Sequence, residues 1–317
     1  MAYYLGIDGG GTKTTCALGD ETSLLVSVNT GPSNITRVGE TRARESLHRA
    51  VREVCAAAKI DSRQIRRACI GVAGAGREEV ANAVRKIVAE MIPGEIQVVG
   101  DTVTSAEAAF GAGPGVIVIA GTGSIAYGRN SQGQTARAGG WGFAVSDEGS
   151  AHWIGRTLIH DLMRAIDQRL DDANAMQATA DAFPLLRKIQ AAWNLHSLEG
   201  LVRAANSHPD FAALFPLIVA ADADDMTASV LSRAGNELAQ LAAIVTRRLF
   251  ANEISDDPLV QVAMIGGVFR HSLTVRESFR RDLQKLDPRV EVKPEIVEPV
   301  LGALQMATTG ARYRTPR

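Results

Sequence analysis

Two short glycine-rich segments, each joining two strand-like runs, constrain the fold of this chain more than any other feature. The first is DGGGTKT at residues 8–14, and the second is GTGS at residues 121–124. Successive backbone N–H groups of such loops can approach phosphate oxygens because glycine has no Cβ. One such loop alone could be a plain tight hairpin. Two of them predict a nucleoside triphosphate held between two domains.

The familiar phosphate loops do not account for these segments. A Walker A loop needs adjacent Gly-Lys-Ser/Thr and a following helix, but Thr12 separates Gly11 from Lys13, and a strand-like run follows. The dinucleotide fingerprint also has to open a helix, so it fails for the same reason. The distribution of glycine supports a special role, since 23 of the 30 glycines lie in residues 1–150. We expect the hydroxyls of Thr12 and Thr14 to add phosphate donors.

Strands alternate with helices along the chain, which predicts an α/β protein with largely parallel sheets. The strand, glycine hairpin and strand of residues 5–18 recur at about 116–129, so we expect two related α/β domains. We predict an N-terminal lobe at residues 1–114 and a second lobe at 115–300 with a helical insertion at about 150–255. Residues 301–317 are predicted to form a closing helix that packs back on the first lobe.

Two aspartates follow predicted strands. Asp8 ends the first strand beside the phosphate loop, where a carboxylate could orient the waters of a bound Mg²⁺, although it could simply begin a turn. Asp101 follows the strand at residues 96–99, at the edge where α/β folds place ligands. It could cap the next helix, and the sequence favours a further role as general base for an acceptor hydroxyl.

The most unusual run is GGWGFAVSDEGS at residues 139–150. We expect Trp141, between Gly140 and Gly142, to form a flat wall for a sugar face, and Asp147 and Glu148 to accept hydrogen bonds from sugar hydroxyls. Glu148 and Ser150 could instead cap the following helix, a role we expect of Ser150. His152 and His160 of that helix are interpreted as ordinary helix residues.

The remaining composition excludes several classes of protein. Lys and Arg total 34 against 35 Asp and Glu, which gives a formal net charge of −1, so no global field would attract nucleic acid or an anionic membrane. Three cysteines without a CxxC pair fit no disulfide framework, and a reducing cytoplasm suits them best. We find no secretory signal and no apolar run long enough to span a bilayer.

With these motifs assembled, the chain resembles the N-acetylglucosamine kinases of the BadF/BadG/BcrA/BcrD ATPase family, within the sugar kinase, actin and Hsp70 superfamily. GIDGGGTKT, PSN at 32–34, GDTVTS at 100–105, IAGTGS at 119–124, GGWGFAVSDEGSAHWIG at 139–155 and MIGGVF at 264–269 carry the resemblance. It implies a two-lobed actin-like ATPase (ribonuclease H-like) fold, with helical additions in the second lobe.

The resemblance also implies an activity and a set of site residues. The chain would transfer phosphate from ATP, with Mg²⁺, to the 6-hydroxyl of N-acetylglucosamine, and Asp101 would be the base. Asn34, Trp141, Gly142 and Asp147 would line the sugar site, and the family suggests a homodimer. The nucleotide would be held by Gly10, Gly11, Thr12, Lys13, Thr14, Gly121, Thr122, Gly123 and Ser124 at the phosphates, and by Gly266 and Gly267 near the adenosine.

Several alternatives stay open at this stage. N-acetylmuramic acid and glucosamine are other possible acceptors, and a non-catalytic sugar or nucleotide sensor is a different class of function. Gly266 and Gly267 could form a plain strand-to-helix turn. The iron–sulfur activators of the family are disfavoured because no cysteine follows Cys69, where the cluster ligands would be needed. The zinc motif of ROK sugar kinases is also absent.

Overall fold

A computed structural model of the chain describes residues 2–168, 183–207, 210–221, 224–251 and 259–311. Two five-stranded mixed sheets organise it. The first contains β1 (Tyr3–Gly9), β2 (Thr14–Gly19), β3 (Leu24–Thr30), β4 (Ile65–Val72) and β5 (Glu95–Gly100). The second contains β6 (Gly115–Ala120), β7 (Ser124–Arg129), β8 (Thr135–Gly139), β9 (Val260–Ile265) and β10 (Val290–Val297).

The two sheets have the same topology. The first has the order β3-β2-β1-β4-β5, and the second has the order β8-β7-β6-β9-β10. In both, the first three strands form an antiparallel meander, and the last two run parallel to the first strand. This correspondence confirms the internal duplication and the two-lobed α/β fold predicted from the sequence. Each glycine-rich segment is the turn between the first two strands of its sheet.

Helices cover both faces of each sheet. The first lobe carries α1 (Ile35–Ala58) and α2 (Glu78–Ala89), and α3 (Asp101–Phe110) leads into the second lobe. The remaining helices are α4 (Ala151–Asp167), α5 (Pro184–Ala192), α6 (Leu198–Asn206), α7 (Phe215–Val219), α8 (Asp225–Phe250), α9 (Gly267–His271), α10 (Leu273–Leu286) and α11 (Pro299–Thr309). None of the helices in the described ranges is both long and apolar enough to cross a membrane.

The last helix returns to the first lobe. Helix α11 packs on β1, β4 and α3, and the fit is close, because a Cβ added at Gly6 would lie 2.4 Å from the Leu304 backbone nitrogen. Helix α3 also contacts the second sheet, where Ala106 and Ala109 join a buried cluster with Ile117 and Ile265. Helix α3 therefore lies between the two sheets, and α11 packs beside it on the first sheet.

Candidate active site

A single large cleft runs between the lobes. Its volume is about 2290 Å³, whereas a pocket for one small ligand typically measures about 300–1,000 Å³, so a nucleotide and a sugar fit together. The predicted site residues that line it are Asp8, Gly10, Gly11, Thr12, Lys13, Asn34, Asp101, Gly121, Thr122, Gly123, Ser124, Gly140, Trp141, Gly142, Asp147, Gly266 and Gly267. The fold thus brings together all but two of the residues singled out from the sequence.

The two glycine hairpins meet at their tips. Thr12 Oγ1 and Thr122 Oγ1 are 2.7 Å apart, although 110 positions separate them in the sequence. Within the described residues, the N–H groups of Gly11, Thr12, Thr122 and Gly123 donate to no protein acceptor. Unpaired donors on both lobes suit the several oxygens of a phosphate chain. This is the fit expected of a triphosphate site.

Thr14 is not part of this donor set. Its hydroxyl is fully buried and lies 2.7 Å from both Gly31 O and Ser33 Oγ, on the face of β2 that packs against the start of α1. Because side chains alternate along a strand, Thr15 faces the cleft instead. The Thr14 hydroxyl, which the sequence predicted as a phosphate donor, therefore anchors the hairpin to the segment before α1 instead.

Asp8 and Asp101 both line the cleft. Burial raises the pKa of Asp8 to about 7; the negative charge of Asp101 adds to the effect, and the Lys13 ammonium opposes it. Burial also raises the pKa of Asp101, while the Thr102 N–H, which donates to its Oδ1 at 3.0 Å, favours the ionised form. Two partly buried carboxylates with little positive compensation form a site that a divalent cation would stabilise.

Asp101 is the first residue of α3 rather than its cap. The N-cap position is occupied by Gly100, so Asp101 does not have the capping role considered from the sequence. The Asp101 carboxylate lies in the first turn of α3, at the positive end of the helix dipole, which favours its ionised form. The residue follows β5 at the carboxyl edge of the parallel strands, as the sequence predicted.

Asp147 reaches the second hairpin from the loop after β8. It is buried at 8% exposure and has φ = 65°, an uncommon backbone conformation for a residue other than glycine. Its carboxylate accepts the N–H groups of Ser124 and Gly142, while burial and, to a lesser extent, Glu148 raise its pKa. A Cβ at Gly123 would lie 2.7 Å from its Oδ2, so Asp147 packs directly on the hairpin.

Glu148 does not face the cleft. Its carboxylate accepts a hydrogen bond from Ser146 Oγ at 2.9 Å, and its backbone oxygen accepts one from Ser124 Oγ at 2.7 Å. The structure therefore corrects its predicted role in sugar binding, because the turn at Asp147 directs the two neighbouring acids to different sides. Ser150 caps α4 as expected, since its Oγ accepts the Trp153 N–H at 3.1 Å.

Trp141 and Asn34 stand on opposite walls of the cleft. Trp141 is 68% exposed, and the Arg137 guanidinium lies 4.2 Å from its ring centroid, so one face is covered and the other remains open. Asn34 caps α1, where its Oδ1 accepts the N–H and the hydroxyl of Thr36. This leaves the Asn34 Nδ2 as the group available to an acceptor molecule in the cleft.

Gly266 and Gly267 differ in what they require. Gly266 has φ = 104°, and a Cβ there would lie 2.3 Å from Ala120 O, so only glycine fits this position behind the second hairpin. Gly267 has open space around the position of a Cβ and begins the short helix α9. The backbone at Gly266 and Gly267 therefore carries no side chain, which leaves room for the flat base of a nucleotide to lie against it.

Several cleft residues were not found by sequence reasoning. Arg37, Asp210, Arg270 and Glu298 line the cleft and form two ion pairs, Arg37–Asp210 and Arg270–Glu298. His152 also reaches the cleft, with its ring between those of Phe143 and Phe211 at 4.9 and 5.2 Å. Burial, and then the charges of Arg156 and Arg37, lower its pKa. No motif marks these residues, because tertiary folding alone brings them together.

Known proteins resemble this chain over nearly its whole length. The model of the BadF/BadG/BcrA/BcrD ATPase family matches residues 5–307. An N-acetylmuramic acid/N-acetylglucosamine kinase of Clostridium acetobutylicum is 28% identical over 312 residues, covering 97% of this chain and 98% of the relative. An N-acetyl-D-glucosamine kinase of Dictyostelium discoideum is 28% identical over 322 residues, covering 96% and 97%.

Solved structures show the same fold. A candidate N-acetylglucosamine kinase from Chromobacterium violaceum has a TM-score of 0.70 at 23% identity, and the match covers 97% of this chain and 99% of that one. Identity at that level supports the shared fold alone. The resemblance stated from the motifs is confirmed by the family match and by the curated relatives over nearly the whole chain.

Proposed function

Because this chain belongs to the BadF/BadG/BcrA/BcrD ATPase family, we propose that it is an ATP-dependent amino-sugar kinase that phosphorylates the 6-hydroxyl of N-acetylglucosamine. The observation that carries the proposal is the placement of Asp101, whose carboxylate opens into the same cleft as the two glycine hairpins. A non-catalytic sensor would need the hairpins but no base beside them. N-acetylmuramic acid is the second acceptor we expect, by similarity to the Clostridium relative.

The residues divide the reaction between them. Asp101 accepts the proton of the acceptor hydroxyl as its oxygen forms a bond to the γ-phosphorus. The bond between that phosphorus and the β–γ bridging oxygen breaks, and ADP leaves. The N–H groups of Gly11, Thr12, Thr122 and Gly123, with the Lys13 ammonium, stabilise negative charge on the transferred group. Trp141, Asn34 and Asp147 orient the sugar.

The acid pair fits a magnesium ion at this site. Asp8 would hold Mg²⁺ through water, and the ion when bound supplies positive charge to the phosphate oxygens. The assignment is supported by the position of Asp8 in the same cleft as Asp101 and the first hairpin, where burial and negative charge outweigh the Lys13 ammonium and raise the pKa of Asp8.

A panel of acceptors tests the proposal. ADP release, measured with a coupled assay, is expected to rise with N-acetylglucosamine and N-acetylmuramic acid, and to respond at least tenfold more weakly to glucose. Stimulation by glucosamine alone would redirect the proposal to a glucosamine kinase. If none of these sugars stimulates ADP release, the kinase proposal is rejected in favour of a sensor. The homodimer and the cytoplasmic location stay predictions; light scattering of the purified protein tests the first.

A further inference from the structure

In the part of the chain that the structure describes, two side-chain to side-chain hydrogen bonds join the lobes across the cleft. One is the contact between the hydroxyls of Thr12 and Thr122 at the hairpin tips. The other is an ion pair in which Arg37 Nη2 donates to Asp210 Oδ1 at 2.9 Å, between residues 173 positions apart. Arg37 belongs to the first lobe, and Asp210 lies among the helices that follow β8. The second contact has no part in the proposed reaction.

On the first-lobe side, Arg37 is fixed to the phosphate hairpin. It lies in the first turn of α1, and this turn is tied to the hairpin because Ser33 N and Asn34 N both donate to Gly10 O, at 3.1 and 3.2 Å. Its side chain runs over Gly11, where an added Cβ would lie 3.2 Å from Arg37 Cδ and 3.4 Å from Nη1. A displacement of Arg37 is therefore expected to displace the first hairpin with it.

On the second-lobe side, Asp210 is fixed to the other hairpin. It precedes the 3₁₀ turn Phe211–Leu214, and the Phe211 ring packs edge-on against the His152 ring with centroids 5.2 Å apart. At the start of α4, Ala151 N donates to Gly121 O at 2.9 Å and His152 N to Thr122 O at 3.4 Å. The position of Asp210 is thus coupled to the second hairpin through α4.

These contacts close a ring that passes through both hairpins, which we call the inter-lobe ring: Gly11, Arg37, Asp210, Phe211, His152, Thr122 and Thr12. We propose that Arg37 is a positioning residue for phosphoryl transfer, and that its ion pair with Asp210 sets the separation of the two hairpins. The inference rests on the proposed kinase function for its kinetic consequence, but the ring geometry can be tested without any substrate.

The expected effect is kinetic rather than thermodynamic. The side chains of Arg37 and Asp210 are 32% and 55% exposed, and such ion pairs contribute little to stability. Alignment of reacting groups is much more sensitive, since a displacement of about 1 Å can cost about a hundredfold in rate. We therefore expect loss of the pair to lower kcat while leaving the folded protein and its affinity for ATP nearly unchanged.

A double-mutant cycle tests the pairing. Arg37→Gln and Asp210→Asn are each expected to lower kcat about tenfold, with the KM for ATP within about threefold of wild type, and the double variant should be no slower than the slower single variant. Arg203→Gln removes an equally polar surface pair, Arg203–Glu199 on α6, and should leave kcat unchanged. Wild-type kcat in Asp210→Asn, or losses that multiply in the double variant, would overturn the proposal.

A distance measurement separates this inference from the kinase proposal. Cysteines introduced at the exposed positions Lys86 on α2 and Lys188 on α5 can carry spin labels, because the native Cys16, Cys55 and Cys69 are buried. The inter-label distance distribution should broaden in Arg37→Gln and in Asp210→Asn, but not in Arg203→Gln. An unchanged distribution in both variants overturns the ring, whatever the kinase assay shows. Broadening in a protein with no sugar-dependent ADP release would support the ring and reject the kinase proposal.

Discussion

The two glycine hairpins occupy equivalent places in duplicated sheets and yet carry different chemistry. In the first sheet Asp8 pairs with Thr15 one step before the turn, and in the second sheet the same step pairs Ile119 with Ile125. The strand that leads into the first hairpin therefore carries an acid, Asp8. The strands of the second hairpin carry none at this step, and the nearby carboxylate belongs to Asp147 in the loop after β8, which packs on Gly123 and accepts a hydrogen bond from the Ser124 N–H.

This asymmetry shows how the two lobes of a duplicated fold can contribute different side chains to one site. Both lobes keep the backbone donors that a phosphate chain needs, because those depend only on the hairpin. The first lobe adds Asp8 and Asp101, which suit a cation and a base, while the second adds Asp147 and Trp141, which we propose bind the acceptor. Variants that affect one lobe should therefore separate catalysis from acceptor binding.

The largest effect is expected from the first-lobe base. Asp101→Asn keeps the size and burial of the side chain but removes its ability to take a proton, so kcat should fall by roughly 10²–10⁴. The affinity for ATP, measured by equilibrium binding of a fluorescent nucleotide, should stay close to wild type. Glu107→Gln on the same helix, outside the cleft lining, serves as the control. Near-normal turnover of Asp101→Asn would remove this residue from the role of base.

The next effect concerns the glycines that follow β9 and β4, the equivalent strands of the two sheets. Gly266→Ala brings a Cβ against Ala120 O and should lower the free energy of unfolding by about 3 kcal/mol, measured by urea denaturation. The control is Gly74→Ala after the equivalent strand of the first sheet, where φ is also positive but the nearest atom is the flexible end of Arg77 at 3.3 Å. It should cost only about 1 kcal/mol. Equal losses would contradict the close packing behind the second hairpin.

A smaller effect is expected at the acceptor wall of the second lobe. Trp141→Ala removes the open ring face and should raise the KM for N-acetylglucosamine about tenfold, which corresponds to about 1.4 kcal/mol. The KM for ATP serves as the internal control and should change less than twofold, because our proposal assigns the ring to the acceptor site rather than to the nucleotide site. A rise in the KM for ATP with an unchanged sugar KM would place Trp141 at the nucleotide instead.

The smallest effect concerns the stability cost of Asp8. An acid whose pKa is raised from 3.8 to about 7 on folding destabilises the folded state increasingly as pH rises between those values, and the full penalty applies above pH 7. Asp8→Asn, scanned with a chelator present, should therefore melt about 2–4 °C above wild type at pH 8, with the difference shrinking toward pH 5. A constant difference across this range would argue against the raised pKa.

Sequence reasoning predicted the elements whose signals are local. The strands around both hairpins are apolar and buried, so their runs identify them, and the closing helix predicted from residue 301 begins at Pro299 as α11. Strands β3, β8 and β10 were missed. β3 and β10 are half-exposed edge strands, and β10 contains Pro294 among charged residues, so neither has the pattern of a buried strand.

The site was predicted where it depends on motifs and missed where it depends on geometry. A positive φ at Asp147 decides which of two adjacent acids reaches the cleft, and strand alternation decides between Thr14 and Thr15; neither is visible as a residue type. The pair Arg37–Asp210 depends on the docking of distant elements. The start of α1 at Ile35 has no apolar stripe to mark it in the sequence, because its first turns are largely exposed and are interrupted at Gly39, where φ is 78°.

The central claim is that this cleft transfers phosphate to the 6-hydroxyl of an amino sugar with Asp101 as the base. The most direct test is two-dimensional ³¹P–¹H NMR of the product formed from ATP and N-acetylglucosamine by the wild-type protein and by Asp101→Asn. We predict a phosphorus signal correlated with the two C6 protons in the wild-type reaction, and almost none in the variant. A product esterified at another oxygen, or an equal yield from the variant, would contradict the account.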